Sequence, residues 1–297
     1  MRQQTRPEQQ HHNRRGDTSG CRGKHKSDET LEIHSRYILT WAFVPGAAMP
    51  SVREIIDYCN TRLGITEFED YCPNGLQVEA GEKVERVVTG VTASLALIEA
   101  ARDAGADLLL VHHGYFWKGE SQPLTGMKGR RVRELFAAGL SMAAYHLPLD
   151  AHPELGNNAR LGQLLGFPQA GPVTADGLLW GSELSRPMTL ETLGRQLQVL
   201  TGRPPLLLSG GTHQVARLAW CTGGAQSWLG KAADLDYDAF ITGEVSEASF
   251  HMAQECNIHF IAAGHHATER YGIQALGAEL SDRFGLNHEY IDIPNPV

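Results

Sequence analysis

Cysteine is scarce and unpatterned in this chain. The five thiols, Cys21, Cys59, Cys72, Cys221 and Cys256, include no CxxC pair, which excludes a disulfide framework and a thiolate zinc site and fits reduced thiols. No apolar run exceeds about a dozen residues, short of the roughly 20 that a membrane-spanning helix needs. Positive charge is also short: Lys and Arg number 26 against 34 Asp and Glu, a net charge of −8. The positive field that draws a protein to nucleic acid is missing, so nucleic acid is not an expected partner. A GxSxG nucleophile elbow, a P-loop and a complete dinucleotide fingerprint are absent as well. What is there is 297 residues, 42% of them apolar, enough for one large or two medium domains with real cores.

Histidine is the residue in excess, at 14. Four (His11, His12, His25 and His34) fall within residues 1–48, which carry eight basic and five acidic side chains. Residues 1–36 have no apolar period and read as a disordered tail. Residues 37–48 are apolar, but their long leader and its acids fit neither a signal peptide nor a transit peptide. The expectation is a disordered tail, or the product of an upstream start codon, ahead of a body that begins at Met49. That body carries −11 and is expected in the cytoplasm.

From Met49 the pattern alternates between helix and strand, which predicts an α/β fold. Val52, Ile55, Ile56, Cys59 and Leu63 repeat at helical spacing. Residues 86–91 read as a β-branched strand, 94–104 as a helix with Ser94 as a possible cap, and 107–111 as a strand buried on both faces. A helix over 132–138 and a strand over 140–145 follow. A second unit repeats the order, with a strand at 218–221, a helix at 225–234 and a strand at 239–242. Arg86 and Asp107 stand 21 positions apart, as do Arg217 and Asp238. That register predicts two related α/β domains and sets Gly243 and Glu244 where the first unit has His112 and His113. The Gly and Pro residues of 167–181 suit a crossing between the domains. A strand at 258–262, a helix from Ala267 and a last strand near 290–293 complete the reading.

Three strands run into clusters of potential ligands: His112 and His113, then His146 to Asp150, then His265 to Glu269. In open α/β sheets ligands bind beyond the carboxyl ends of strands, so the three clusters can meet at one site. Neighbouring side chains on a strand point to opposite faces, so adjacent histidines serve one site only where the strand ends, as Gly114 and Gly264 mark. His265 and Glu269 are four apart at a helix start, hence on one face, where an anion is favoured. Pro148 stops the strand before Asp150. Isolated histidines are more often surface or hydrogen-bonded core residues, which is the reading for His213, His251, His259 and His288. Tyr115, Phe116 and Trp117 either wall a pocket or fill a core. Lys118 and Glu120 either touch a substrate or are solvated loop charges. Thr222, Gly223 and Gly224 either cradle a phosphate or make a tight turn.

The runs Asp70-Tyr-Cys-Pro-Asn-Gly-Leu-Gln-Val78, Val111-His-His-Gly-Tyr-Phe-Trp-Lys-Gly119, His146-Leu-Pro-Leu-Asp-Ala-His152, Ile241-Thr-Gly-Glu244 and Gly264-His-His-Ala-Thr-Glu-Arg270 resemble the GTP cyclohydrolase I type 2 homologue family. Its members are also called Nif-three-like dinuclear metal-centre hexameric proteins, and the resemblance to its short bacterial members covers residues 51–297. It implies two α/β domains, one over 49–172 plus 262–297 and the second, 173–261, inserted into it. It also implies a toroidal homohexamer with metal sites facing an internal cavity. Carried over residue by residue, the ligands are His112, His113, Asp150, His265 and Glu269, the set that also lies at the strand ends.

The expected cofactors are two divalent cations per chain; Zn, Fe, Mn, Co and Ni all suit three imidazoles and two carboxylates. The expected function is a metal-dependent hydrolase of the GTP cyclohydrolase I type 2 kind, with metal-activated water attacking a small-molecule substrate of the purine-nucleotide type. His146 and His152, near Asp150 in sequence, are the candidates for proton transfer. Trp117, Lys118 and Glu244 are the candidates for substrate contact. Similar metal pairs serve phosphohydrolases and amidohydrolases, and a non-enzymatic metal-binding ring is the alternative of a different class. Five side chains shared between two ions leave room for water, which favours catalysis.

Overall fold

The computed structural model describes residues 49–297, so the expectation for residues 1–48 lies outside the described residues. Helix α1 (Val52–Leu63) forms where the apolar spacing predicts it and buries Val52, Ile55, Ile56, Cys59 and Leu63. Its first turn is closed by a capping box: Ser51 Oγ accepts from the Glu54 N–H at 3.2 Å and Glu54 Oε2 accepts from the Ser51 N–H at 2.7 Å. Gly64 ends it at φ 59°, a left-handed turn that suits a residue without Cβ.

Two sheets follow. The first is built from β1 (Gly75–Val78), β2 (Arg86–Thr92), β3 (Leu108–His113), β4 (Ser141–Ala144) and β11 (Asn287–Tyr290), in the order β1-β4-β3-β2-β11. Only β1 is antiparallel to its neighbour. The crossovers are α2 (Leu95–Asp103) and α3 (Gly126–Ala137), and after β4 come α4 (Leu147–Ala151) and α5 (Asn157–Leu164).

The second sheet has the order β5-β6-β8-β9-β10-β7. Its strands are β5 (Gly171–Pro172), β6 (Trp180–Met188), β7 (Leu206–Leu208), β8 (Val215–Trp220), β9 (Ala239–Thr242) and β10 (His259–Ala262). Helices α6 (Leu190–Thr201), α7 (Leu229–Asp234) and α8 (Glu247–Glu255) pack on it. The chain then returns to the first sheet through α9 (His265–Thr268) and α10 (Arg270–Phe284). The result is a mixed α/β fold with two sheets. Residues 171, 172 and 262 pair within the second sheet, slightly wider than the 173–261 expected for a second domain. Among the described residues no helix is long and apolar enough to cross a membrane.

Alternation along the central strands explains the layering. On β3, Leu108 and Leu110 face a core with α1 and α10, while Leu109 and Val111 face a core with α2 and α3. In the second sheet Leu218, Trp220 and Ile241 face α6, whereas Ala219, Phe240 and Phe260 face α7 and α8. Period-two side chains on a strand covered on both sides read as an unbroken apolar run. Elsewhere the sequence pattern misleads. The first turn of α3 starts at Gly126, six residues before the expected 132, because Gly126 and Gly129 lower its helical propensity. Strand β11 lies three residues before the expected 290–293, on the polar stretch Asn287–Tyr290. The elements β1, α5, β6, α6, β7 and α8 are not among those expected from the sequence, although α6 repeats Leu190, Leu193 and Leu197 at helical spacing behind a Thr189 cap.

The register shared by the two units has a local cause. Asp107 Oδ2 accepts from the N–H groups of Glu85 and Arg86 at 2.8 and 3.0 Å. Asp238 Oδ2 accepts from those of Ala216 and Arg217 at 2.8 and 2.7 Å. Each carboxylate thus pins the start of the neighbouring parallel strand. Asp238→Ala strands two part-buried donors and is expected to cost about 1–3 kcal/mol, and Asp107→Ala, which strands one part-buried and one exposed donor, to cost less. The check is a lowered urea midpoint with unchanged slope.

Candidate metal centre

Strand β3 carries His112 and His113 to its very end, and Gly114 turns the chain away. A side chain at 114 would collide with Gln77, whose Oε1 accepts the Tyr115 N–H at 2.7 Å. The turn lets both rings face one side: their centroids are 4.7 Å apart at 46°. Beyond β4, His146 precedes α4, which carries Asp150, and Pro148 sits in the first turn of that helix. Beyond β10, α9 carries His265 and ends at Glu269. The three strand ends therefore converge.

Each imidazole has its Nδ1 on an oxygen outside the cluster. His112 Nδ1 donates to the Tyr145 carbonyl at 2.8 Å, and His265 Nδ1 donates to Glu244 Oε1 at 2.7 Å. His146 Nδ1 donates to Asp70 Oδ1 at 2.8 Å, and His113 Nδ1 meets Thr92 Oγ1 at 3.2 Å. A carbonyl or an ionised carboxylate can only accept, so the inward Nε2 of a neutral ring carries a lone pair. Those lone pairs face carboxylates. His112 Nε2 lies 3.5 Å from both Asp150 Oδ1 and Glu269 Oε1. Glu269 Oε2 lies 3.1 Å from His113 Nε2 and 3.0 Å from His265 Nε2.

Such an arrangement repels itself unless positive charge sits within it. His112 Nε2 and Glu269 Oε2 are both buried with no aligned hydrogen-bond partner. Ligand atoms held at about 2.0–2.2 Å by one tetrahedral ion stand roughly 3.4 Å apart, close to the separations above. Two groups, His113 with His265 and Glu269, and His112 with Asp150 and Glu269, each keep their ligand atoms within 4.8 Å of one another. The clusters could hold metal ions, and Glu269 belongs to both groups.

Without a cation, protons take that role. Burial works against a charge on His112, but Asp150 and Glu269 raise it to about 9. Burial likewise opposes a charge on His265, yet Glu269 and then Glu244 raise it to about 9. Burial prevails at His113, which is lowered, and at Asp150, which is raised. At Glu269 burial is outweighed by His113 and His112, which hold it well below the usual range.

Asparagines supply the outer support that the sequence reading misses. Asn157 Nδ2 donates to Asp150 Oδ1 at 2.8 Å while its Oδ1 accepts the Gly272 N–H at 2.7 Å. Asn158 Oδ1 accepts the Thr222 N–H at 3.0 Å. The only sequence signal is an Asn pair opening a helix soon after Asp150. Asp70 and Asn74, by contrast, stand in a run that carries the family resemblance.

Other candidates separate clearly. Trp117 lines the cleft, edge-on to His146 with centroids 5.0 Å apart. Glu244 stands behind His265 as its hydrogen-bond acceptor. Lys118 is exposed and lies outside the cleft lining. His152 is not brought to the cluster: its Nδ1 accepts from Glu154 and Leu155 N–H at 3.1 and 3.0 Å, and its Nε2 meets the Arg62 carbonyl at 3.1 Å. Its Nδ1 holds local backbone and its Nε2 faces Arg62 of α1. His266 turns to Asp292 at 2.8 Å, away from its neighbour His265. Tyr115 is core, with its hydroxyl on the Ala93 carbonyl, and Glu120 accepts the Phe116 and Trp117 N–H groups of its own turn. In the loop Thr222–Gly224 the N–H groups of Thr222 and Gly223 donate within the protein, as does that of Ala225 beyond it, so the loop does not present the run of successive free N–H groups that a phosphate cradle needs.

The cleft above the cluster has a volume of about 520 Å3, and Tyr71, Trp117 and Trp228 stand on its walls. A model of the family described as Duf34/NIF3 (NGG1p interacting factor 3) matches residues 50–296. The chain is 52% identical over 252 residues to the GTP cyclohydrolase 1 type 2 homolog of Allochromatium vinosum, spanning 84% of this chain and 99% of that one. The solved structure of a protein called ybgI, described as of unknown function, matches with a TM-score of 0.80 at 48% identity, over 83% of this chain and 100% of the other. TTHA1606 from Thermus thermophilus matches with a TM-score of 0.77 at 37% identity, over the same shares.

Gly223 has φ 72°, and a Cβ there would overlap Glu269 Oε1. Gly223→Ala is therefore expected to push Glu269 out of both groups and lose most bound metal, with about 1–2 kcal/mol of backbone strain. Elemental analysis beside circular dichroism tests this. Because His112 and His265 hold protons below about 9, metal uptake at pH 7 is expected to expel protons and tighten as pH rises. Calorimetry in buffers of different ionisation enthalpy reads that release, and buffer-independent heats would contradict it.

Proposed function

The chain belongs to the Duf34/NIF3 family, and from that premise we propose that it is a hydrolase acting through two divalent cations on a purine-nucleotide-type substrate. The observation that carries the reading is the pair of three-residue ligand groups sharing Glu269 on the floor of an aromatic-walled cleft. Two cations bound there would supply an activated water and stabilise charge developing on the attacked atom. Glu269 bridges the groups, His112 and Asp150 complete one, and His113 and His265 complete the other. Asn157 and Glu244 hold Asp150 and His265 in place. Tyr71, Trp117 and Trp228 offer flat apolar faces to a planar ring. Of the two histidines considered for proton transfer, only His146 lies beside the cluster.

Relatives bearing the GTP cyclohydrolase name support the nucleotide reading. A phosphohydrolase or amidohydrolase would use the same metal pair. A non-enzymatic metal ring fits less well, since three ligands per ion leave positions open that a structural site closes. We read the second sheet as a related domain inserted over 173–261 within 49–172 plus 262–297, and the assembly as a toroidal homohexamer in the cytoplasm.

Metal-defined protein assayed against nucleotides, phosphoesters and peptides is expected to open or hydrolyse a purine nucleotide, while scattering light as a hexamer. Wild type is expected to hold two ions per chain, and Glu269→Ala to lose most of both. His112→Ala and His113→Ala should each mainly weaken one. A single tight ion in wild type, or full occupancy in Glu269→Ala, would defeat the dinuclear reading; turnover of none of the substrates would favour the scaffold.

A further inference from the structure

Lys128, in the first turn of α3, is a buried charge that the reading above leaves unused. It is 8% exposed, and a lysine is seldom so buried unless it is paired. Its Nζ lies 3.5 Å from Glu120 Oε2 and 5.3 Å from the centre of the Phe116 ring, and it donates to the Ser121 carbonyl. Glu120 Oε2 in turn accepts the N–H groups of Phe116 and Trp117 at 2.8 and 3.2 Å. The Glu120 N–H closes the turn on the Trp117 carbonyl at 2.9 Å. One carboxylate oxygen therefore gathers two backbone donors and an ammonium. Beyond Trp117 the Lys118 N–H donates to the Tyr71 carbonyl at 2.6 Å. The far side of the turn is anchored there, while its near side, at Phe116, rests on Glu120.

That near side is strained. Among the described residues Phe116, Gln169, Asp236 and Asn257 have positive φ without being glycine, and Phe116, at 66°, is the aromatic one. A left-handed backbone crowds Cβ against the following carbonyl, so it persists only where the surroundings hold it. What it achieves here is the placement of the next residue. The Trp117 ring stands edge-on to His146 with centroids 5.0 Å apart, and 6.0 Å from the ring of His113. Its indole N–H donates to the Gly114 carbonyl at 3.1 Å. We propose that Glu120 and Lys128 are positioning residues that clasp the strained Phe116 turn and so fix Trp117 as a stacking face for a planar ring; this rests on the reading of the cleft as the substrate site. Without the clasp the turn relaxes at Phe116 and carries the indole away from the cleft. A face already in place gives up no further freedom when a ring stacks on it.

The test uses full-length protein as purified, with 5-fluorotryptophan in place of its five tryptophans. The fluorine resonance missing from Trp117→Phe reports the wall, and guanosine, followed by calorimetry, is the planar probe. Trp117→Ala is expected to weaken guanosine about tenfold, the size of one base–aromatic stack. Glu120→Ala is expected to shift or broaden the Trp117 resonance and to weaken guanosine by a similar factor, with metal content unchanged. Lys128→Met should move both in the same direction by less, and it keeps the test open if Glu120→Ala fails to fold. Phe116→Gly, which suits a left-handed turn, is expected to keep the wild-type resonance and to make Glu120→Ala less damaging. If Glu120→Ala and Lys128→Met lower the urea midpoint yet leave the Trp117 resonance and guanosine affinity as in wild type, the proposal is overturned, because a clasp that only supports folding does that. A wild type that takes up no guanosine would overturn the purine reading of the cleft, and the Trp117 resonance of the Glu120 variant would then decide the clasp alone.

Discussion

Two carboxylates, Asp150 and Glu269, are buried at the meeting point of three strand ends and face imidazole lone pairs. Most of the surrounding structure answers that one electrostatic constraint. Negative charge cannot be left uncompensated in a buried site, so the groups around it are arranged to receive cations, whether protons or metal ions. The outward Nδ1 partners of His112, His265 and His146 settle the tautomers. Gly223 lets a loop of the second sheet come against Glu269 where any side chain would overlap it. The Asn157 and Asn158 pair ties the helix after Asp150 to both the centre and that loop.

The two sheets contribute unequally. The first supplies His112, His113 and, just beyond β4, His146 and Asp150. The second supplies the strand that delivers His265 and Glu269, and the loop behind them. Matching aspartate clamps at Asp107 and Asp238 give both sheets the same parallel start. In that shared register Glu244 occupies the position of His113, and it serves the centre as a hydrogen-bond acceptor for His265 instead of lying among its ligand groups.

Five residues that the structure brings together were legible because each lies at or just beyond the end of a strand whose apolar run is itself legible. Carboxyl ends of parallel strands gather on one edge, so His112, His113, Asp150, His265 and Glu269 could be grouped without coordinates. Proximity in sequence served less well. His152 is two residues from Asp150, yet its ring holds the backbone of Glu154 and Leu155. Asp70 is 80 residues from Asp150 in sequence, and its carboxylate orients the ring at the cluster. Lys118 follows Trp117 directly, and the two part at a turn in which Glu120 holds the backbone.

The sequence by itself determined the alternation of elements, the faces that α1 and β3 bury, and the residue types that meet at the strand ends. These follow from period and composition, which are local properties. Tertiary structure alone decided which imidazole nitrogens turn inward, which histidine joins the cluster, and that Asn157, Asn158, Asp70 and Gly223 surround it. Those outcomes depend on contacts between residues far apart in the chain. A hydrogen bond that selects a tautomer, or a glycine that admits a carboxylate, leaves no periodic trace, because its geometry exists only once both sheets have folded against each other.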